Sequence, residues 1–124
     1  MRKMALYTGA TYGLLTVLIG AFGAHALKSN LLEYGRLETF ETAVKYQVYH
    51  ALLLVIIGFN GQKLNARWFK MSVYSITIGV FIFSGSLYLL SILNTSKFGA
   101  ITPVGGLFLI IGWIGLILSI KKDQ

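Results

Sequence analysis

Four long apolar runs divided by short polar stretches organise the chain, and they cover residues 4–27, 41–60, 69–93 and 101–120. Each holds about 20 or more residues, enough for a helix to cross a hydrocarbon core about 30 Å thick. The stretches between them, KSNLLEYGRL at 28–37, NGQKLNARWFK at 60–70 and NTSKFG at 94–99, hold turn-forming residues and many of the charges. The pattern predicts an all-α fold, an integral membrane bundle of four transmembrane helices that makes one domain of residues 1–124.

Within the runs, small residues recur at helical spacing. In the first they fall at Gly9, Gly13, Thr16, Gly20 and Gly23, in the third at Ser72, Ser75, Gly79 and Ser86, and in the fourth at Gly105, Gly112 and Ser119. Each set lines one helix face. Such faces let backbones approach closely in lipid, either inside the bundle or between subunits of a homo-oligomer. Pro103 stands in the first turn of the fourth run, where no intrahelical N–H is needed. Arg2 and Lys3 precede the first run and Ala24-His25-Ala26 closes it, which has the outline of a secretory signal. The apolar part is too long for a signal core, so a true first span is expected.

Composition fits the membrane reading. Hydrophobic residues make up 56% of the chain and charged residues 12%, about half the charged share of a soluble domain. With no cysteine, the chain has no disulfide, thiolate metal site or cysteine nucleophile. A net charge of +7 would suggest nucleic acid in a soluble protein. Here the basic residues cluster at the ends of apolar runs, the place for topology signals, and no nucleic-acid partner is expected. Four spans put both termini on one side with Arg2, Lys3, Lys63, Arg67, Lys70, Lys121 and Lys122. The other side has Lys28, Arg36, Lys45 and Lys97 beside Glu33, Glu38 and Glu41. Both termini should therefore be cytoplasmic.

Candidate chemistry gathers on that second, outer side. Residues 38–50, ETFETAVKYQVYH, lead without a break into the apolar part of the second span. Glu41 and Lys45 are four apart with the acid first, so they can pair along a helix, and Glu38 shares their face. Tyr46 and His50 are also four apart. His25 ends the first span, Ser84 and Ser86 lie in the outer part of the third, and Thr102 enters the fourth. Intramembrane polar groups generally face protein and pair with one another. The cluster reads as a structural lock or as a pocket open to the outer surface. No metal or cofactor is expected, because the two histidines are 25 residues apart and no short ligand spacing accompanies them. A Ser-His dyad built from Ser84 or Ser86 is a weak signal, since small residues there also serve helix packing. No catalytic residue is assigned.

Four ordered motifs also carry a resemblance: GAFGAHAL at 20–27, ETAVKYQVYHAL at 41–52, FSGSLY at 83–88 and GAITPVGG at 99–106. Together they resemble the YgdD family, small four-span membrane proteins of bacteria with relatives in animals, classed as a domain of unknown function. The resemblance implies four helices and a multi-pass place in the bacterial plasma membrane. It brings no activity, substrate or catalytic residue. The resulting expectation is a non-enzymatic membrane protein that supports membrane or envelope integrity through contacts with lipid or a membrane-protein partner. The alternative is an oligomeric transporter or channel using His50 and its polar neighbours, and an intramembrane enzyme comes third.

Overall fold

A computed structural model describes residues 1–121, and Lys122, counted above among the basic residues, lies outside them. The described residues form five α-helices: α1 (Arg2–His25), α2 (Lys28–Tyr34), α3 (Leu37–Asn60), α4 (Ala66–Leu93) and α5 (Thr102–Ser119), with 3-10 turns at Gly61–Lys63 and Ser96–Ala100. Four segments, built on α1, α3, α4 and α5, are long and apolar enough to cross a membrane. At 1.5 Å per residue, the 24 residues of α1 and of α3 each reach about 36 Å.

Local chemistry sets the breaks. The short α2 ends on Gly35, whose φ of 69° lies in the left-handed region that glycine enters without strain. The Arg36 N–H returns to the Leu31 carbonyl at 2.8 Å, and the chain turns straight into α3. Asn65 caps α4, its side-chain oxygen accepting the N–H groups of Arg67 at 3.1 Å and Trp68 at 3.3 Å. Asn94 ends α4 at a φ of 50°. Pro103 sits in the opening turn of α5.

The helices run up and down in a row. α1 packs on α3, α3 on α4 and α4 on α5, with no substantial contact between α1 and α5. Two braces fold the row around its central pair. The Tyr12 hydroxyl of α1 donates to the Thr77 carbonyl of α4 at 2.7 Å, and the Trp113 indole of α5 donates to His50 of α3 at 3.0 Å. One end of the row, the terminal end, holds residue 1, the α3–α4 connection and the end of α5. It is tied by Arg2 Nε donating to the Gly58 carbonyl at 3.2 Å and by the Asn65 N–H donating to the Ser119 carbonyl at 2.7 Å. The other, the connector end, holds α2 and the Ser96–Ala100 turn.

Many of the small-residue positions are occupied inside the chain, as in the packing alternative raised by the sequence, while a Cβ on Gly13 would meet nothing within 4 Å. A Cβ on Gly9 would meet the Ala51 carbonyl oxygen of α3 at 2.8 Å, and one on Gly112 would meet Ile76 of α4 at 2.5 Å. Gly105 lies against the backbone of Phe83. Ser72 adds a hydrogen bond to the Gly112 carbonyl at 2.8 Å, so the α4–α5 seam is both close and bonded. The hydrophobic core, with Ala5, Leu54, Ile57, Phe69, Val73 and Ile76 among its members, occupies the terminal half. The connector half buries Leu31, Phe40, Leu87 and Leu90 together with the polar Gln47, Ser84 and Ser86.

Candidate functional site

The polar half is built on α3, whose faces differ in character. Ala43, Gln47, His50 and Leu54, spaced four, three and four, are buried. Glu38, Glu41, Lys45, Tyr49 and Leu52, spaced three, four, four and three, are exposed. A helix with such a pattern turns one polar set inward and the other out.

Gln47 is the inner node. Its amide nitrogen donates to the Tyr12 carbonyl of α1 at 2.9 Å, and its amide oxygen accepts the Tyr88 hydroxyl of α4 at 2.6 Å. One side chain thus joins three helices. Tyr12 is itself tied to α4 through Thr77, and the Thr16 hydroxyl turns back to the Tyr12 carbonyl at 2.7 Å. The Tyr88 ring packs on Phe40, with centroids 5.4 Å apart.

One turn deeper, His50 joins α3 to α5. Its Nδ1 lies 2.7 Å from the Tyr46 carbonyl, an obligate acceptor, so Nδ1 carries the proton. Nε2 then accepts the Trp113 indole N–H at 3.0 Å. The ring is neutral with both nitrogens engaged. Tyr46 stacks on it from the same helix, with centroids 6.2 Å apart, and contacts Phe83 of α4 at 4.5 Å.

Serine hydroxyls complete the half. Ser84 donates to the Ala43 carbonyl at 2.8 Å, joining α4 to α3. Ser86 and Thr102 share a hydrogen bond of 2.6 Å, joining α4 to α5. Among the described residues, Ser91 Oγ is the buried side-chain polar atom without a partner. Buried polar groups left unpaired in lipid are costly, and this half leaves very few.

Of the residues the sequence singled out, the structure joins Tyr46 to His50 and Ser86 to Thr102, and sets Ser84 against Ala43. It does not join the rest. His25 is exposed at the end of α1. Glu41 and Lys45 are exposed without an ion pair between them, although their spacing permits one. With Glu38 they line shallow surface hollows beside α2, not the buried network. The reason is angular: these positions lie on the face of α3 turned away from Gln47 and His50. Gln47, Tyr12, Tyr88, Thr77 and Trp113 were not in the sequence-based set. For Gln47 the signal existed, since it stands in register with Phe40, Ala43 and Leu54. For Trp113, an interior position in the most apolar span gave none.

Beside the Gln47–Tyr88 pair, an apolar groove of about 500 Å³ opens between α1 and α4. Leu15 and Ile19 form one wall, Phe81 and Leu89 another, and Phe98 and Ile101 close the connector end. A Cβ on Gly85, in this groove, would meet nothing within 4 Å. Among the described residues, no three of His, Asp and Glu come together in a way that could hold a metal ion.

A family model described as "Protein of unknown function (DUF423)" matches residues 19–106. A UPF0382 membrane protein of Staphylococcus haemolyticus is 41% identical over 97% of each chain. The UPF0382 membrane protein YwdK of Bacillus subtilis is 39% identical over 97% of this chain and 98% of its own. One from Haemophilus influenzae is 35% identical over 100% of this chain and 98% of its own. No solved structure matches.

Proposed function

We propose that this chain, which belongs to the DUF423 family and is a multi-pass protein of the bacterial plasma membrane, supports membrane or envelope integrity without being an enzyme, by holding lipid against its connector half. The finer likeness to the YgdD proteins is part of the same proposal. So is the reading of the chain as one membrane domain whose spans are α1, α3, α4 and α5.

The observation that carries this reading is the groove between α1 and α4. It faces the medium of the bilayer, its walls are apolar, and its volume of about 500 Å³ suits an acyl chain. The polar groups beside it are committed to joining helices, which favours a fixed wall over a reaction centre. Both nitrogens of His50 are engaged, so a proton or solute path through that residue would first have to break the bond to Trp113. Ser84 donates to a backbone carbonyl and Ser86 bonds Thr102, so neither hydroxyl is aimed at a histidine.

The test fills the groove. Gly85→Phe adds a ring where there is open space, so folding should be unchanged. Lipid retained by the purified protein, counted by native mass spectrometry, should fall by about one molecule per chain. Cells that lack the protein should become more sensitive to detergent, and the Gly85→Phe chain should not restore them. Full restoration by that variant would remove the groove from the function.

Orientation belongs to the same proposal. Six described basic residues, Arg2, Lys3, Lys63, Arg67, Lys70 and Lys121, lie at the terminal end with no described carboxylate beside them. That end would face the cytoplasm. The chain has no cysteine of its own. A cysteine placed at position 63 should react with an impermeant maleimide only after the cells are opened, and labelling of intact cells would reverse the orientation.

A further inference from the structure

The basic residues of the terminal end are arranged, and the arrangement has a shape. Between the start of α1 and the α3–α4 connection lies a hollow of about 490 Å³ lined by Arg2, Lys3, Gln62 and Lys70, with Phe69 and Gly61 at its base. Phe69 is buried to 3% exposure and closes the hollow toward the core. Lys3 and Lys70 are exposed.

Orientation signals alone would account for basic residues at this end, because they act through charge and need no fixed geometry. They do not account for the way Arg2 is held. Its side chain crosses from α1 to α3, where Nε donates to the Gly58 carbonyl at 3.2 Å. It lies so closely over Gly61 that a Cβ there would meet Arg2 Cγ at 2.5 Å and Phe69 Cζ at 2.9 Å. Arg2 thus forms a wall of the hollow, and its remaining guanidinium N–H groups make no hydrogen bond to a described residue. A guanidinium and two ammonium groups around one cavity, with no described carboxylate among the lining residues, form an environment for a phosphate group.

Depth names the source of that phosphate. The hollow begins where the apolar runs of α3 and α4 stop, at Phe59 and Phe69, a place along the spans that suits lipid headgroups. Basic pockets between spans at that level suit anionic headgroups, each nearby Lys or Arg adding a similar increment of attraction. We infer that this hollow binds the phosphate headgroup of an anionic phospholipid, at the opposite end of the molecule from the acyl groove and independently of it.

The experiment uses the full chain in nanodiscs of phosphatidylcholine with a minor share of phosphatidylglycerol. Both faces of a disc are open, so orientation does not enter. Native mass spectrometry after release counts the lipids that stay bound. The unaltered chain should retain phosphatidylglycerol over phosphatidylcholine on the order of tenfold. Lys3→Gln with Lys70→Gln should reduce that preference to about two- to threefold. Lys28→Gln with Lys97→Gln removes the same charge from the connector end and should leave it unchanged. Equal losses in the two double variants would mean diffuse charge, and would overturn the site. A chain with no preference would overturn it as well. Inorganic phosphate forms the second arm. If it displaces phosphatidylglycerol, or stabilises the chain equally in discs of phosphatidylcholine alone, the hollow is a site for free anion and the lipid assignment fails. Gly85→Phe should not alter the preference, which keeps this result separate from that of the groove.

Discussion

Gly105→Ala should cost the fold about 3 kcal/mol, the upper part of the range for overpacking a core. The added methyl group would run into the backbone of Phe83, which cannot rotate aside as a side-chain tip can. α5 would have to lift from α4 along the seam that also carries the Ser72–Gly112 bond of 2.8 Å. The control is the next residue. On Gly106 a Cβ would stand 3.7 Å from the Phe83 ring, an ordinary contact. Gly106→Ala should be neutral or slightly stabilising, because alanine favours a helix by about 1 kcal/mol over glycine. Thermal unfolding in a mild detergent, followed by tryptophan fluorescence, reads both. Equal midpoints for the two variants would show that the seam is looser than described.

His50→Ala should have the next largest effect, a loss of about 2 kcal/mol. Two contributions add up to it. A buried ring is removed from between Tyr46 and Trp113, which leaves a cavity. The Trp113 indole also loses its acceptor, and interhelical hydrogen bonds in membranes contribute about 0.6 kcal/mol each. Trp113→Phe removes the donor and leaves the histidine in place, and should cost about 1 kcal/mol or less. The double variant should be little worse than His50→Ala alone, since both changes break the same bond. An unchanged midpoint for His50→Ala together with loss of some solute flux would instead make His50 part of a conduit.

These two residues show what the sequence could and could not convey. The four apolar runs became four long helices because run length alone decides whether a helix can span lipid. The glycines were legible as packing faces, since their spacing of three and four is a property of one helix. Which helix each face would meet was not, because that depends on the order of the row. The candidate site was legible only in part. His50, Ser84, Ser86 and Thr102 were found because each is polar inside an apolar run. Glu38, Glu41 and Lys45 were grouped with them by nearness in sequence, although the helix carries them to another side. Gln47 lay unmarked between Tyr46 and His50, and its partner Tyr88 comes from another helix. A hydrogen bond between helices leaves no trace in the periodicity of either.

The row itself has a consequence for how the protein is made. As the ribosome delivers the spans, α3 emerges with α1 already present, α4 with α3, and α5 with α4, and each of these pairs is packed in the fold. Each span after the first thus meets a packed neighbour already in the bilayer, while α1 waits for α3 and α4 completes its larger contact when α5 arrives. The bonds that skip a neighbour, Tyr12 to Thr77 and His50 to Trp113, can close only after α4 and then α5 have arrived. They are the last fastenings of a molecule that can otherwise be assembled in the order in which it is translated.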